Sequence, residues 1–306
     1  MGLQFEAFLV NPQNFIKPDR LVSFGLDHRL SAGLFAPATA PTSVLIFYHG
    51  GGAHMAGYGG LAHRIRRASP TVVITPDIRG HGKSAGQRGY APRPELIWFD
   101  VDATIDWAEE HYPGLPIILG GHSSGAGMLL NWASRKFKGT KGSPAPKPTD
   151  RIAAMVLLAP WLTKPKAKGK TTKKAFATVR DWVFTVFSLS GGRYCARTPA
   201  VRLGYPLEVA RASNLLLSYT AGMALALTPK NPRAELKAIT CPLLILAAAQ
   251  DEMFPPDSLR TITGDARMEP VEGSHLTCLI PAAGPITRFI GTFTPPLPAV
   301  APSTVG

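Results

Sequence analysis

Residues 116–127 read Pro-Ile-Ile-Leu-Gly-Gly-His-Ser-Ser-Gly-Ala-Gly. A short apolar run that ends in Gly-His-Ser-Ser-Gly predicts a buried strand that turns sharply into a helix, with Ser123 at the turn. Glycines at 121 and 125 let strand and helix approach closely, which a Cβ at either position would obstruct. The turn lifts the Ser123 hydroxyl out of the sheet as a candidate nucleophile. The same pentapeptide can also form an ordinary turn, so the assignment depends on finding a base, an acid and an oxyanion hole elsewhere in the chain.

Strands alternate with helices on both sides of this stretch. Strand patterns occupy residues 43–49, 71–75, 116–120, 153–159, 242–248 and 267–271, and helical patterns occupy 61–68, 95–111, 124–136, 256–262 and 285–293. An opening antiparallel hairpin is predicted at residues 20–26 and 30–36. Apolar strands that alternate with helices are typical of a parallel sheet covered on both faces. We therefore predict an α/β fold with a mostly parallel central sheet and helices on both faces.

The alternation stops between residues 161 and 239. This stretch opens with a lysine-rich segment and continues with apolar helical patterns that contain Trp182, Phe184 and Tyr219. We predict a core formed by residues 1–160 and 240–294, interrupted by a helical cap, or lid, at 161–239. A proline-rich tail follows at 295–306, and a loop of similar character lies at 139–148.

Two later loops supply partners for Ser123. Asp251 follows the strand at 242–248, and His275 follows the strand at 267–271. The order Ser, Asp, His places all three residues at the carboxyl edge of one parallel sheet. Taken singly, Asp251 could be a helix-capping acid and His275 a solvated loop histidine. Glu252 and Asp257 are reserve acids.

The oxyanion hole is expected from backbone N–H groups beside the turn. One is that of Ser124, at a helix N-terminus whose dipole favours negative charge. The other is expected from the His-Gly-Gly-Gly loop at 49–52, with Gly51 as the donor and Gly52 in reserve. The alternative for this loop is a merely flexible turn.

A Gly-Lys-Ser triplet at 82–84 suggests phosphate binding at first sight. A P-loop requires a glycine five positions before Gly82, and Asp77 stands there. We therefore reject a phosphate site. Arg79 and His81 are predicted to be structural residues that hold the loop beside the turn at Ser123.

Positive charge is concentrated in one part of the chain. The 306 residues carry a formal net charge of +13, and residues 135–180 contain thirteen Lys or Arg against one acid. No aromatic stacking pattern or recognition motif accompanies this charge, so we expect no nucleic-acid partner. The lysines of the cap entry can attract an anionic surface or an acyl carrier, or form a solvated loop that keeps the protein soluble. The cluster comprises Lys164, Lys166, Lys168, Lys170, Lys173 and Lys174.

The remaining observations argue against a signal peptide, a transmembrane segment, disulfides and a metal site. The N-terminal residues lack the basic region and apolar core of a signal peptide, so we expect a cytoplasmic protein. The longest apolar stretches, 153–160 and 215–227, are too short or too interrupted for a transmembrane segment. Cys195, Cys241 and Cys278 predict neither a disulfide framework nor a metal cage, and no cofactor is expected.

Taken together, these motifs resemble those of the α/β-hydrolase superfamily. The run His-Gly-Gly-Gly, then Asp77 through Arg79-Gly-His-Gly, then Gly-His-Ser-Ser-Gly is similar to the monoacylglycerol lipase and lysophospholipase group, related to the S33 serine aminopeptidases. The resemblance implies that Ser123, Asp251 and His275 form a catalytic triad and that the cap shapes an acyl pocket. The lysine-rich cap entry and the 139–148 insertion depart from the usual pattern of this group.

The expected activity is cleavage of a carboxylic ester through an acyl-enzyme, with a small-molecule or lipid ester, such as a monoacylglycerol, or a thioester as substrate. Acyl transfer, thioester hydrolysis and perhydrolysis use the same triad and remain alternatives, as does a non-catalytic member of the fold that binds a small molecule. The candidate substrate-binding residues are His54, His122, Trp161, Phe184 and Phe254.

Overall fold

An eight-stranded sheet forms the centre of the computed structural model, which describes residues 8, 11–135, 147–162, 176–264 and 266–293. The strands are β1 (Arg20–Phe24), β2 (Leu30–Phe35), β3 (Ser43–Tyr48), β4 (Thr71–Pro76), β5 (Ile117–His122), β6 (Ala154–Leu158), β7 (Ala177–Val179), β8 (Pro199–Leu203), β9 (Ser218–Thr220), β10 (Leu243–Ala248) and β11 (Met268–Val271). The helices are α1 (Gly59–Ala68), α2 (Pro94–His111), α3 (Ser124–Ser134), α4 (Asp181–Leu189), α5 (Leu207–Ala212), α6 (Ala221–Leu227), α7 (Pro232–Ala238), α8 (Pro256–Thr263) and α9 (Ala283–Gly291).

The strand order in the large sheet is β1-β2-β4-β3-β5-β6-β10-β11. β1 and β2 form the predicted antiparallel hairpin, and β2 also pairs antiparallel with β4. The pairs from β4 through β11 are all parallel. The prediction of a mostly parallel sheet is therefore confirmed, and the carboxyl ends of β3, β5, β6, β10 and β11 share one edge.

Helices cover both faces of this sheet. Because successive strand residues point to opposite faces, Val44 and Ile46 pack on the side of α2 and α3, whereas Leu45 and Phe47 pack on the side of α1 and α9. All four side chains are at most 1% exposed. Burial of each such side chain contributes about 1.5–3 kcal/mol, which explains why strands apolar throughout occupy the centre.

The segment between β6 and β10, called the insertion below, departs from the predicted helical cap. It contains α4 to α7, but also a three-stranded antiparallel sheet in the order β7-β8-β9. Two of these strands, β7 and β9, have only three residues, too few for their alternation to be recognised in a sequence, so the purely helical prediction is wrong here. The segment rests on the core through α6, where the carbonyl oxygen of Ala226 accepts hydrogen bonds from Asn131 Nδ2 (2.9 Å) and Trp98 Nε1 (3.1 Å).

Parts of the predicted organisation lie outside the described residues. These are the lysine cluster at 164–174, most of the loop at 139–148 and the tail at 295–306. The division into a core and an insertion with boundaries at 160 and 240 stays a prediction. Within the described ranges, no helix has both the length and the apolar character needed to cross a bilayer.

Candidate active site

Ser123 occupies a strained turn between β5 and α3. Its φ of 53° and ψ of −120° lie where a residue with a side chain is rarely found, at a cost of about 1–3 kcal/mol. Neighbouring backbone holds it there: the Ser123 N–H donates to the carbonyl oxygen of Leu158 (2.9 Å), and the Ser123 carbonyl accepts from the N–H of Trp161 (3.0 Å). A Cβ on Gly125 would overlap the carbonyl oxygen of His49, so this position requires glycine.

Side chains from three loops meet at this turn. His275 Nε2 lies 2.9 Å from Ser123 Oγ, and His275 Nδ1 lies 2.8 Å from Asp251 Oδ2. Ser123, Asp251 and His275 are each at most 5% exposed. Asp251 uses its second oxygen, Oδ1, to accept the backbone N–H groups of Met253 (2.8 Å) and Phe254 (2.7 Å). The carboxylate is thereby oriented, and it can hold the imidazole with Nδ1 protonated and Nε2 facing the serine hydroxyl.

The reserve acids have other positions. Glu252 Oε2 accepts a hydrogen bond from the backbone N–H of His275 at 2.9 Å. Glu252 therefore supports the backbone of the histidine loop, whereas Asp251 contacts the imidazole ring. Asp257 is exposed in the first turn of α8.

His122, the residue before the nucleophile, links the glycine loop to the histidine loop. Its Nδ1 accepts from the hydroxyl of Tyr58 (2.8 Å), and that oxygen accepts from the N–H of Gly50 (2.8 Å). The other ring nitrogen, Nε2, donates to the carbonyl oxygen of His275 (2.9 Å). Burial, with a smaller contribution from nearby His275, holds the pKa of His122 well below its usual range. His122 is therefore neutral and fully hydrogen-bonded.

Two backbone N–H groups are available beside Ser123. The N–H of Gly51 donates to no other group in the described residues, and that of Ser124 lies in the first turn of α3, where N–H groups have no partner within the helix. The reserve donor, Gly52, is not available, because its N–H donates to the hydroxyl of Tyr219. The assignment of Gly52 is thus corrected, and Gly51 and Ser124 remain as the pair.

A cavity of about 630 Å³ opens above Ser123. The groups around the nucleophile that line it are Gly51, Ser124 and His275. Its walls are mainly apolar and come from Trp161, Phe176, Phe184, Val201, Leu203, Leu225, Leu227 and Met253. Polar lining residues that are also exposed are Thr178, Asp181, Thr228 and Lys230. Such a space can accept an apolar chain with a carbonyl group placed at Ser123.

A family model described as serine aminopeptidase, S33, matches residues 39–272. The chain belongs to this family. Human monoglyceride lipase is 29% identical over 153 residues, which cover 50% of this chain and 46% of that relative. The alignment therefore spans about half the length of the mammalian relatives. Monoacylglycerol lipase from Mycolicibacterium smegmatis is 23% identical over 248 residues, covering 79% of this chain and 82% of the relative.

Solved structures show the same architecture. A soluble variant of monoglyceride lipase from Saccharomyces cerevisiae, in complex with a substrate analog, superposes with a TM-score of 0.62 at 13% identity. The superposition covers 90% of this chain and 95% of that one. With the strand order described above, this likeness identifies the α/β-hydrolase fold.

The predicted substrate-binding residues of this α/β-hydrolase divide into two groups. Trp161, Phe184 and His122 line the cavity, whereas His54 and Phe254 do not. His54 Nε2 lies 2.8 Å from the carbonyl oxygen of Ser213, outside the cavity. Phe254 is 1% exposed, and its ring packs edge-on against that of Trp161 at a centroid distance of 5.1 Å. The assignment of these two residues to substrate binding is therefore corrected.

The sequence predicts no contact between the glycine loop and the three tyrosines that surround it. Tyr58, Tyr205 and Tyr219 all line the cavity, and each hydroxyl contacts the backbone of residues 50–52. Tyr58 stands shortly after the glycines, which is a weak local signal. Tyr205 and Tyr219 are more than 150 residues from the loop, and no pattern in the sequence connects them with it.

The Gly-Lys-Ser loop has a structural role. Asp77 accepts the N–H groups of Met55 (2.7 Å) and Lys83 (2.7 Å), and Arg79 forms a two-pronged ion pair with Asp100 (2.7 and 2.5 Å). The loop is thereby fixed to α2 and to the segment that follows the glycines. In the described ranges, no group of three or more His, Cys, Asp or Glu could hold a metal ion.

Proposed function

We propose that this protein is a serine hydrolase that cleaves the carboxylic ester of an apolar acyl group, with monoacylglycerol-like lipid esters as its substrate class. The observation that carries the proposal is the continuous hydrogen-bonded line from Ser123 through His275 to Asp251 at an apolar cavity. The names of the human and mycobacterial relatives, both monoacylglycerol lipases, support the same substrate class.

In the first half of the proposed reaction, Ser123 Oγ attacks the ester carbonyl carbon while His275 Nε2 takes the hydroxyl proton. The negative charge that develops on the carbonyl oxygen is stabilised by the N–H groups of Gly51 and Ser124. The C–O bond to the leaving alcohol then breaks, and His275 returns the proton to that oxygen. The product of this half is an acyl group on Ser123 and a free alcohol.

In the second half, water attacks the acyl carbon, and His275 again accepts the proton before giving it to Ser123 Oγ. Asp251 does not change protonation. Its carboxylate holds the ring in the required tautomer and stabilises the imidazolium that forms in each half. The acid leaves, and the free enzyme is restored.

Acyl specificity is assigned to the cavity wall. Phe184 and Leu225 come from the insertion and Met253 from the core loop after β10, so an acyl chain would contact both parts of the protein. Each buried CH₂ group contributes about 0.8 kcal/mol, which favours chains long enough to reach the insertion.

A chain-length series of 4-nitrophenyl esters, measured beside monoacylglycerols and acyl-CoA, tests this proposal. We expect higher kcat/KM for medium and long acyl esters than for acetate, and stoichiometric labelling of Ser123 by a fluorophosphonate. Added alcohol, amine or peroxide separates hydrolysis from acyl transfer and perhydrolysis through the products formed. A protein that is neither labelled nor active on any member of the series would contradict the proposal.

Two further predictions concern the surroundings of the reaction. Attraction of residues 164–174 to an anionic surface or an acyl carrier is tested by replacing four of the lysines with glutamine and comparing turnover of neutral and anionic esters at several salt concentrations.

Cytoplasmic location is tested by fractionation of cells that produce the protein.

A further inference from the structure

Two tyrosines of the insertion hold one peptide group of the glycine loop. The hydroxyl of Tyr205 donates to the carbonyl oxygen of Gly51 at 2.5 Å, and the hydroxyl of Tyr219 accepts from the N–H of Gly52. These two backbone atoms belong to the same planar peptide unit. Because both of its polar ends are bound, the plane cannot rotate without losing two hydrogen bonds.

This peptide group is the centre of a tight turn. The N–H of Ala53 donates to the carbonyl oxygen of Gly50 at 3.2 Å, and Gly52 has a φ of +73°. A positive φ at the third residue is the mark of a type II turn, whose central peptide rotates by about 180° when the turn changes to type I. Glycine tolerates both states, so the sequence of the loop does not choose between them. The hydrogen bonds to the hydroxyls of Tyr205 and Tyr219 select the observed type II state.

The catalytic donor lies immediately before this peptide group. Gly51 contributes its N–H to the proposed oxyanion hole, so the position of the turn determines where that N–H points. On the core side, the turn is held by the bond from the Gly50 N–H to Tyr58. On the insertion side, besides the two tyrosines, the N–H of Leu216 donates to the carbonyl oxygen of Gly52 at 2.8 Å.

The insertion contacts are firmly anchored. Tyr219 lies in β9, is 4% exposed, and donates its hydroxyl proton to His81 Nε2 at 2.8 Å. His81 Nδ1 faces the carbonyl oxygen of Arg79 at 3.1 Å, which assigns the proton to that nitrogen and leaves Nε2 as an acceptor. Tyr219 therefore joins the core loop at 79–81, the insertion and the glycine loop in one chain of hydrogen bonds.

We propose that Tyr205 and Tyr219 are positioning residues that hold the Gly51–Gly52 peptide so that the Gly51 N–H is aimed at the developing oxyanion. The insertion then contributes to catalysis as well as shaping the acyl cavity, because the oxyanion hole is complete only while the insertion packs on the core. This inference rests on the proposed function.

The test uses the full chain with Tyr219→Phe, Tyr205→Phe and the double substitution, each of which removes only a hydroxyl group. Tyr194→Phe, on an exposed residue of the insertion outside the cavity, is the matched control. We measure kcat and KM for one 4-nitrophenyl ester, with active sites counted by fluorophosphonate titration. We also measure inhibition by an alkyl boronic acid, whose tetrahedral adduct with Ser123 places an oxygen in the oxyanion hole.

For Tyr219→Phe we expect kcat to fall about thirtyfold with KM within about twofold, since misplacing a catalytic group by about 1 Å can cost 10²-fold. Boronate affinity should fall by the same factor as kcat/KM. Tyr205→Phe should lose about tenfold, and the double variant less than the product of the two, because both hydroxyls hold one peptide group. Tyr194→Phe should match the wild type.

Three results would overturn the inference while leaving the proposed function intact. They are unchanged kcat and boronate affinity in the single variants, an increase in KM alone, and a lower Tm with unchanged kcat per titrated site. If Tyr219→Phe does not fold, Tyr205→Phe decides by the same criteria. A wild-type protein that neither turns over esters nor reacts with the fluorophosphonate would instead overturn the proposed function, and this inference with it.

Discussion

The edge of the sheet and the insertion contribute to the site through different kinds of group. At the sheet edge, the side chains of Ser123, Asp251 and His275 are joined by hydrogen bonds, and each residue follows a strand of the core. The insertion contributes hydroxyl groups that bind backbone, from Tyr205 and Tyr219, and apolar side chains that line the cavity.

The sheet edge would therefore supply the reacting side chains, whereas the insertion would position the glycine loop and shape the cavity. Loops at the ends of parallel strands converge on one edge whatever their detailed sequence, so they can bring reactive groups together reliably. A segment packed above that edge can adjust the shape of the cavity and the position of the glycine loop without altering the reactive groups. Substitutions at the sheet edge should therefore abolish turnover, and those in the insertion should tune it.

The largest effect is expected from Ser123→Ala. Loss of the nucleophile should lower kcat by about 10⁵-fold or more, because base and acid have no group left to activate. Ser188→Ala, on an exposed serine of α4, is the control and should keep full activity. Circular dichroism checks that both variants fold. Substantial turnover by Ser123→Ala would place the chemistry elsewhere.

Asp251→Asn should come next, with a loss of about 10⁴-fold in kcat, because an amide favours the wrong tautomer of His275. Asp257→Asn is the matched control on an exposed acid of α8 and should leave kcat unchanged. Glu252→Gln should lose only a few-fold, since its amide oxygen can still accept the His275 N–H. A larger loss in Asp257→Asn than in Asp251→Asn would reverse the assignment of the acid.

Lowering the pH should reduce the free energy of unfolding through His81, a core residue that is hydrogen-bonded to Tyr219 of the insertion. Burial lowers the pKa of His81, which accepts a hydrogen bond from Tyr219, from 6.5 to about 4. Between these values the unfolded chain binds more protons than the folded protein, so the free energy of unfolding falls as the pH is lowered through this window and is level above it. At pH 5 the loss from His81 is about 2 kcal/mol, at about 1.4 kcal/mol for each pH unit.

Urea denaturation at about pH 7.5 and about pH 5 measures this loss. His81→Asn should reduce the difference between the two conditions, whereas His111→Asn, on an exposed histidine, should leave it as in the wild type. Equal stability of the wild type at both pH values would show that His81 is not held neutral by its surroundings.

The smallest effect is expected from the cavity wall. Phe184→Ala should lower kcat/KM about tenfold for long acyl esters and leave acetate hydrolysis unchanged, because contacts with a few methylene groups are worth about 1–3 kcal/mol. Trp182→Ala, on the exposed side of the same helix, is the control. An equal loss for acetate and long esters would mean that Phe184 supports the catalytic groups and not the acyl chain.

Prediction from sequence was most accurate where a pattern is local. The predicted core elements agree with the observed ones to within a few residues, from β3 at Ser43–Tyr48 to α9 at Ala283–Gly291, because each has its own apolar periodicity and its own turn residues. It was least accurate in the insertion, where β7 and β9 have three residues each and depend on pairing with β8.

The same division applies within the site. Ser123, Asp251 and His275 each follow a strand that the sequence shows clearly, and their side chains lie within hydrogen-bond distance of one another along the line from Ser123 to Asp251. His54 and Phe254 lie close in sequence to the glycine loop and to Asp251, but neither lines the cavity. Gly52 follows Gly51 in the same loop, but its N–H donates to Tyr219, a contact that no pattern in the sequence indicates.

By itself, the sequence determined the strand–turn–helix at 116–127, the parallel sheet behind it and the order of Ser123, Asp251 and His275 along the sheet edge. These features follow from glycine conformation and apolar periodicity, which act over a few neighbouring residues. Tertiary structure decided which aromatic side chains line the cavity and which tyrosines hold the glycine loop. Those contacts join residues more than 150 positions apart, as Tyr219 and Gly52 are, and arise only when the insertion packs on the folded core.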